Sequence, residues 1–91
     1  MSFMLEKKLP CGRILHRLKT EPKYFQDSQN GLKDFEVREN DRDYQAGDLL
    51  ELAEWTPEGF TGRVLIRRIK YLLDDARFCK EGYVVLGMEE C

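Results

Sequence analysis

A chain of 91 residues can fill one hydrophobic core and not two, so residues 12–91 read as a single domain behind a leader, 1–11, with little structure of its own. Hydrophobic residues at 42%, charged residues at 35% and ten aromatics exclude a disordered chain. The net charge of −2 excludes a uniformly basic protein, and no run approaches the roughly 20 apolar residues of a membrane span.

From Gly12 the pattern sharpens. Ile14, His16 and Leu18 alternate with Arg13, Arg17 and Lys19, the mark of a half-buried strand. Thr20-Glu21-Pro22 starts a helix, with Thr20 or Glu21 as the cap and proline in the first turn, where its missing N–H has no partner to lose. That helix is expected to run from Pro22 to Asn30, with Tyr24, Phe25, Ser28 and Leu32 on its inward side and Gly31 as its left-handed stop. Phe35 and Val37 then alternate with Asp34, Glu36 and Arg38 in a second strand. Asn40-Asp41-Arg42-Asp43 is a loop, and Gly47-Asp48 turns into a third strand, where Leu50 and Leu52 face inward up to Trp55. Thr56-Pro57-Glu58-Gly59 is a turn. Arg63 to Leu73 is a long fourth strand whose inward set changes phase, from Val64 and Ile66 to Ile69, Tyr71 and Leu73, which places a β-bulge at Arg67-Arg68. Tyr83 to Met88 is the last strand. One helix and about five short strands, one of them bent, make a mainly β (α+β) fold that tends to close into a small barrel, because closure removes exposed edges.

Cys11, Cys79 and Cys91 are odd in number and form no C-x-x-C pair, and His16 is the sole histidine. Free thiols in a reducing compartment follow. The start carries no apolar run behind a basic end, so no signal peptide is read and the expected location is the cytoplasm. No metal, cofactor or membrane partner is expected. His16 shares a face with Ile14 and Leu18 and reads as a hydrogen-bonded core or cleft-wall residue. Segment 61–71 holds four bases and no acid, while 49–60 holds three acids and no base. Arg67 and Arg68 would touch phosphates if the bulge presents both, and otherwise form a solvated face.

The informative stretch lies between Gly31 and Asp48. Glu36 and Arg38, two apart on a strand, share one face opposite Phe35 and Val37. With Phe35 and Val37 in the core, Glu36 and Arg38 point outward together, and Lys33 reaches the same space. A carboxylate beside two cations suits a site that accepts phosphate or carbonyl oxygens and reads an exocyclic amine. The same spacing also describes a surface ion pair, worth about 0–1 kcal/mol.

Leu18-Lys19-Thr20-x-Pro22-x-Tyr24-Phe25, then Gly31-x-Lys33-x-x-Glu36-x-Arg38, then Gly47-Asp48, resembles the ASCH domain of the PUA-like superfamily. Within it, the run Asn40-Asp41-Arg42-Asp43-Tyr44 and the closing Gly82-Tyr83-Val84-Val85-Leu86-Gly87 are similar to the group known as a domain of unknown function, DUF3850. The resemblance covers about residues 13–88. It implies a PUA-like β-barrel with one short helix between strands 1 and 2, a cleft beside that helix, and binding of RNA or a nucleotide, including a modified one. The ligand-binding residues it implies are Lys19, Thr20, Lys33, Glu36 and Arg38, with Asn40, Asp41, Arg42 and Tyr44 on the adjoining loop. Tyr24, Phe25 and Tyr44 are the rings that could stack a base, which contributes about 1–3 kcal/mol.

One ASCH branch hydrolyses the acetyl amide of N4-acetylcytidine with a threonine three residues after the motif lysine. Glu36 holds that position here. A small amidohydrolase would instead use Glu36 as general base for water and Lys33 to stabilise an oxyanion. A third reading is an accessory interaction protein of phage or mobile-element origin that docks a protein partner through the charged segment.

Overall fold

The computed structural model describes residues 6–91, so the first five residues of the expected leader lie outside the described residues. The elements are β1 (Glu6–Lys8), β2 (Ile14–Thr20), α1 (Pro22–Gln29), β3 (Phe35–Glu39), β4 (Leu49–Thr56), β5 (Gly59–Leu73) and β6 (Tyr83–Glu89). The fold is mainly β, with one helix between β2 and β3. Glu6–Lys8, read as leader, adds an antiparallel edge strand to β2, with Lys7 opposite Leu15.

All six strands form one sheet in the order β1-β2-β4-β5-β6-β3. β2 and β4 are parallel, from Leu15 opposite Leu49 to Thr20 opposite Glu54, and the chain between them carries α1 and β3. β4, β5 and β6 follow as an antiparallel meander. The expected barrel does not close through its backbone, since β3 pairs with β6 and lies at one end of the sheet. Two side chains bridge its gap to β2. Arg38 donates to the Lys19 carbonyl at 3.0 Å and Arg42 to the Arg17 carbonyl at 2.7 Å. Among the described residues β1 pairs with Ile14 to His16 of β2, and these guanidiniums serve the Arg17 and Lys19 carbonyls beyond that pairing.

The core is built by Leu18, Tyr44, Leu50, Leu52, Ile69, Val84, Leu86 and Met88, with Leu65 and Leu72 packed against it. Alternation identified the inward residues of β2 and β4 correctly, and the last expected strand is β6. It failed in β5. That strand pairs with β4 as far as Arg68 and with β6 from Arg68 onward, and the register shift lies between Ile69 and Tyr71 rather than at Arg67-Arg68. Leu65, Ile69 and Leu72 therefore turn toward the core, while Val64, Ile66 and Tyr71 are exposed. β3 is likewise the reverse of the expectation. Glu36 is buried at 3% exposure, while Phe35 and Val37 are exposed at 43% and 56%. Period-two patterning finds a strand, but when both of its faces carry large side chains it does not say which is interior.

Tyr44 was a candidate ring for stacking a base. It is 4% exposed and packs in the core with its ring centroid 4.7 Å from that of His16. Burial raises its phenol above the ordinary value of 10, against the opposing pull of Arg42 and Arg38. A folded-state pKa above the unfolded one means stability is complete below pH 10 and is lost as pH rises through the folded value. Tyr44→Phe is expected to melt within a few degrees of the wild type at pH 7 and to gain on it progressively above pH 10. Thermal melts of both proteins from pH 7 to 11 check this, and parallel curves would remove the effect.

Candidate functional site

α1 is short and lacks a side-chain cap: Glu21 occupies the N-cap position without a capping hydrogen bond, and Pro22 opens the helix. Thr20, expected as cap or ligand hydroxyl, is buried and donates to the Leu18 carbonyl at 3.2 Å. Gly31, at φ +76°, makes the left-handed stop that turns the chain toward β3. Only Phe25 and Ser28 are buried in the helix. Tyr24 is partly exposed, and Leu32 just beyond the helix is exposed; both line a cleft instead of entering the core.

That cleft lies between α1 and β3 and has a volume of about 670 Å³, within the range of small-molecule sites. Lys19, Tyr24, Lys33, Phe35, Glu36 and Arg38 form its chemically distinctive wall. Glu36 is the centre of it. One carboxylate oxygen accepts from the Lys33 ammonium. The other accepts from Arg38 through Nη2 at 2.7 Å and Nε at 3.2 Å. A buried carboxylate is tolerable when such charge-assisted bonds satisfy it. The two oxygens are engaged, so Glu36 holds two cations in place rather than presenting a free base to water.

Lys33 also donates to the Phe35 carbonyl at 2.6 Å, and its ammonium lies 5.7 Å from the Tyr24 ring and 5.1 Å from the Phe35 ring. The cation is therefore framed by two partly exposed aromatics. Lys19 lies 5.0 Å from the Trp55 ring. Of the residues expected in the site, Lys19, Thr20, Lys33, Glu36 and Arg38 meet at this cleft. Asn40, Asp41, Arg42 and Tyr44 do not line it. The Asn40 amide donates to Gly82, Asp41 lies 3.9 Å from Arg42, and Arg42 serves the β2 edge. Arg67 and Arg68 part company. Arg67 reaches the Ser28 carbonyl at 3.4 Å and Arg68 faces Glu89 at 3.7 Å. Phe35 and Val37 were missed as cleft residues, because alternation assigned both to the core.

The Gly47-Asp48 pair is structural. Gly47 takes φ +95°, and a Cβ there would meet the Arg13 guanidinium at 2.8 Å. The buried Asp48 carboxylate accepts from His16 Nε2 at 2.9 Å, the Gln45 amide at 3.2 Å and the Ile14 amide at 3.3 Å. His16 is thus the hydrogen-bonded core histidine that its alternation suggested. Cys11, Cys79 and Cys91 are free thiols. Among the described residues no cluster of His, Cys, Asp and Glu could hold a metal ion, and no helix is long and apolar enough to cross a membrane.

The family model described as "Domain of unknown function (DUF3850)" matches residues 15–88, from the second residue of β2 to the penultimate residue of β6, with the whole cleft inside it. A stretch of 72 residues is 40% identical to the "Uncharacterized 12.9 kDa protein in GpA 3'region" of Escherichia phage P2. The match includes 79% of this chain and 65% of the phage protein's length.

Proposed function

The chain belongs to the DUF3850 family, and from that premise we propose that it is an RNA- or nucleotide-binding module whose ligand site is the α1–β3 cleft. The observation that carries the reading is the convergence of Lys33 and Arg38 on buried Glu36, between Tyr24 and Phe35. Two held cations meet phosphate or carbonyl oxygens, and the two rings offer faces to a base. The ordered motif that resembles ASCH domains of the PUA-like superfamily supports the same ligand class. Free thiols suit a reducing cytoplasm. An amidohydrolase using Glu36 as base finds less support, because both carboxylate oxygens are occupied.

Binding of short single-stranded RNA is expected to weaken about tenfold between 50 and 200 mM salt, as for two or three phosphate contacts. Lys33→Ala is expected to weaken it by a similar factor at low salt and to flatten the salt dependence. Fluorescence anisotropy with labelled oligonucleotides measures both. Salt-insensitive binding, or no binding at 50 mM, would count against the reading.

A further inference from the structure

Gly87 in β6 stands opposite Tyr71, where the register of β5 shifts. Gly87 has no positive φ, and a Cβ added there would make only ordinary contacts, at 3.5 Å to Tyr71 Cβ, 3.6 Å to the Tyr71 carbonyl and 3.9 Å to Lys70 Cγ. Glycine weakens a strand interior and often marks a bulge or a place where a ligand or another backbone comes close; here it accompanies the β5 bulge and also leaves the sheet surface bare. Its register partners are Phe35 on β3 and Tyr71 on β5. Both rings are exposed, Tyr71 at 65%. Across the outer face of the sheet the row therefore reads aromatic, glycine, aromatic.

The spacing fits one planar ring. Neighbouring strands lie about 4.8 Å apart, so Phe35 and Tyr71 rise from the sheet roughly 9–10 Å from each other with a bare floor between them. A base held between two rings needs about 7 Å, twice the ~3.4 Å step of stacked bases, so the rings close on one base by leaning roughly 2–3 Å toward each other over the bare floor. Cations border the row. Lys33 lies beside Phe35, exposed Lys70 is the neighbour of Tyr71, and Lys80 lies 5.2 Å from the Tyr83 ring on the same face. Rings interleaved with cations suit a single nucleic-acid strand better than a peptide. Phe35 belongs both to this row and to the cleft wall, so the two spaces adjoin.

We propose that Phe35, Gly87 and Tyr71 form a second base-stacking subsite beside the cleft, and that the ligand is a single-stranded oligonucleotide of at least two residues rather than a free mononucleotide. The inference rests on the nucleotide reading of the cleft and is tested at residues outside it. UMP, UpU and a uridine tetranucleotide are titrated at low salt, followed by backbone amide chemical shifts, against wild type, Tyr71→Ala, Tyr71→Phe, Gly87→Ala and Gly87→Leu.

UpU is expected to bind about tenfold more tightly than UMP and to shift the Gly87 amide, which UMP leaves in place. Tyr71→Ala and Gly87→Leu are expected to return UpU to the UMP level without changing UMP itself, while Tyr71→Phe keeps the gain. Tyr71 is exposed and Gly87 has room for a Cβ, so Tyr71→Ala and Gly87→Ala keep the fold and serve as its controls. Equal affinities for UMP and UpU in wild type, or a gain that survives both disruptive variants, overturn the subsite. So does a proline-rich peptide that shifts Gly87 where the oligonucleotides do not. If UMP fails to bind and Lys33→Ala changes nothing, the cleft reading falls; UpU binding lost in Tyr71→Ala would then still uphold the stacking row.

Discussion

Asp48→Ala is expected to lower the unfolding free energy by about 3–5 kcal/mol, the cost of breaking a buried hydrogen-bonded polar network. The substitution removes the acceptor for three donors at once: the His16 imidazole and the Ile14 and Gln45 amides. His16 is 1% exposed, and among the described residues its Nδ1 has no hydrogen-bond partner. For a domain of this size each kcal/mol moves the melting temperature by about 4–8 °C, which puts the variant's midpoint roughly 12–40 °C below the wild type's. Pairing the change with His16→Leu in a double-mutant cycle should return a coupling of more than about 1 kcal/mol. A loss below 1 kcal/mol for Asp48→Ala, with no coupling, would mean that β2 and the Gly47 turn are held together by something else.

Glu36→Ala is expected to cost about 2–4 kcal/mol, somewhat less, because the two cations it abandons retain some access to water. Its effect on ligand separates two accounts of the cleft. If the cations act simply as charge, deleting a carboxylate makes the cleft more positive and RNA binds more tightly. If Glu36 fixes where Lys33 and Arg38 point, RNA binds about tenfold more weakly despite the extra positive charge. The second result is expected, with Glu36→Gln intermediate because it keeps one acceptor. Denaturant titration and RNA anisotropy on the three proteins read the two quantities separately. Tighter binding by the alanine variant would end the positioning role.

The sequence carried the order of elements well. α1 was readable from Pro22 and Gly31, and β2 and β4 from single-face alternation, because Ile14, His16 and Leu18, then Leu50 and Leu52, recur at every second position. β3 was located but turned inside out. Its pattern offered Phe35 and Val37 as the obvious interior pair, and nothing local says that Glu36 will be neutralised by Lys33 and Arg38 well enough to be buried. The burial of Tyr44 was hidden for a related reason, since a ring in a charged loop has no periodicity to place it. The single-residue shift of β5 depends on where its pairing passes from β4 to β6, a tertiary choice. The cleft was half legible: Lys33, Glu36 and Arg38 meet there as their spacing suggested and Tyr24 was among the candidate rings, while Phe35 was assigned to the core.

The pairing scheme also divides the molecule by sequence distance. β4, β5 and β6 are successive hairpin partners and can zip with short loops, whereas β2 must wait for a segment that follows both α1 and β3, and β3 must find a strand near the far end of the chain. Loop-closure entropy delays such remote pairings. The cleft is made almost wholly from those late-joining pieces. On that arithmetic the cleft is the last part of the domain to assemble, after the meander has formed.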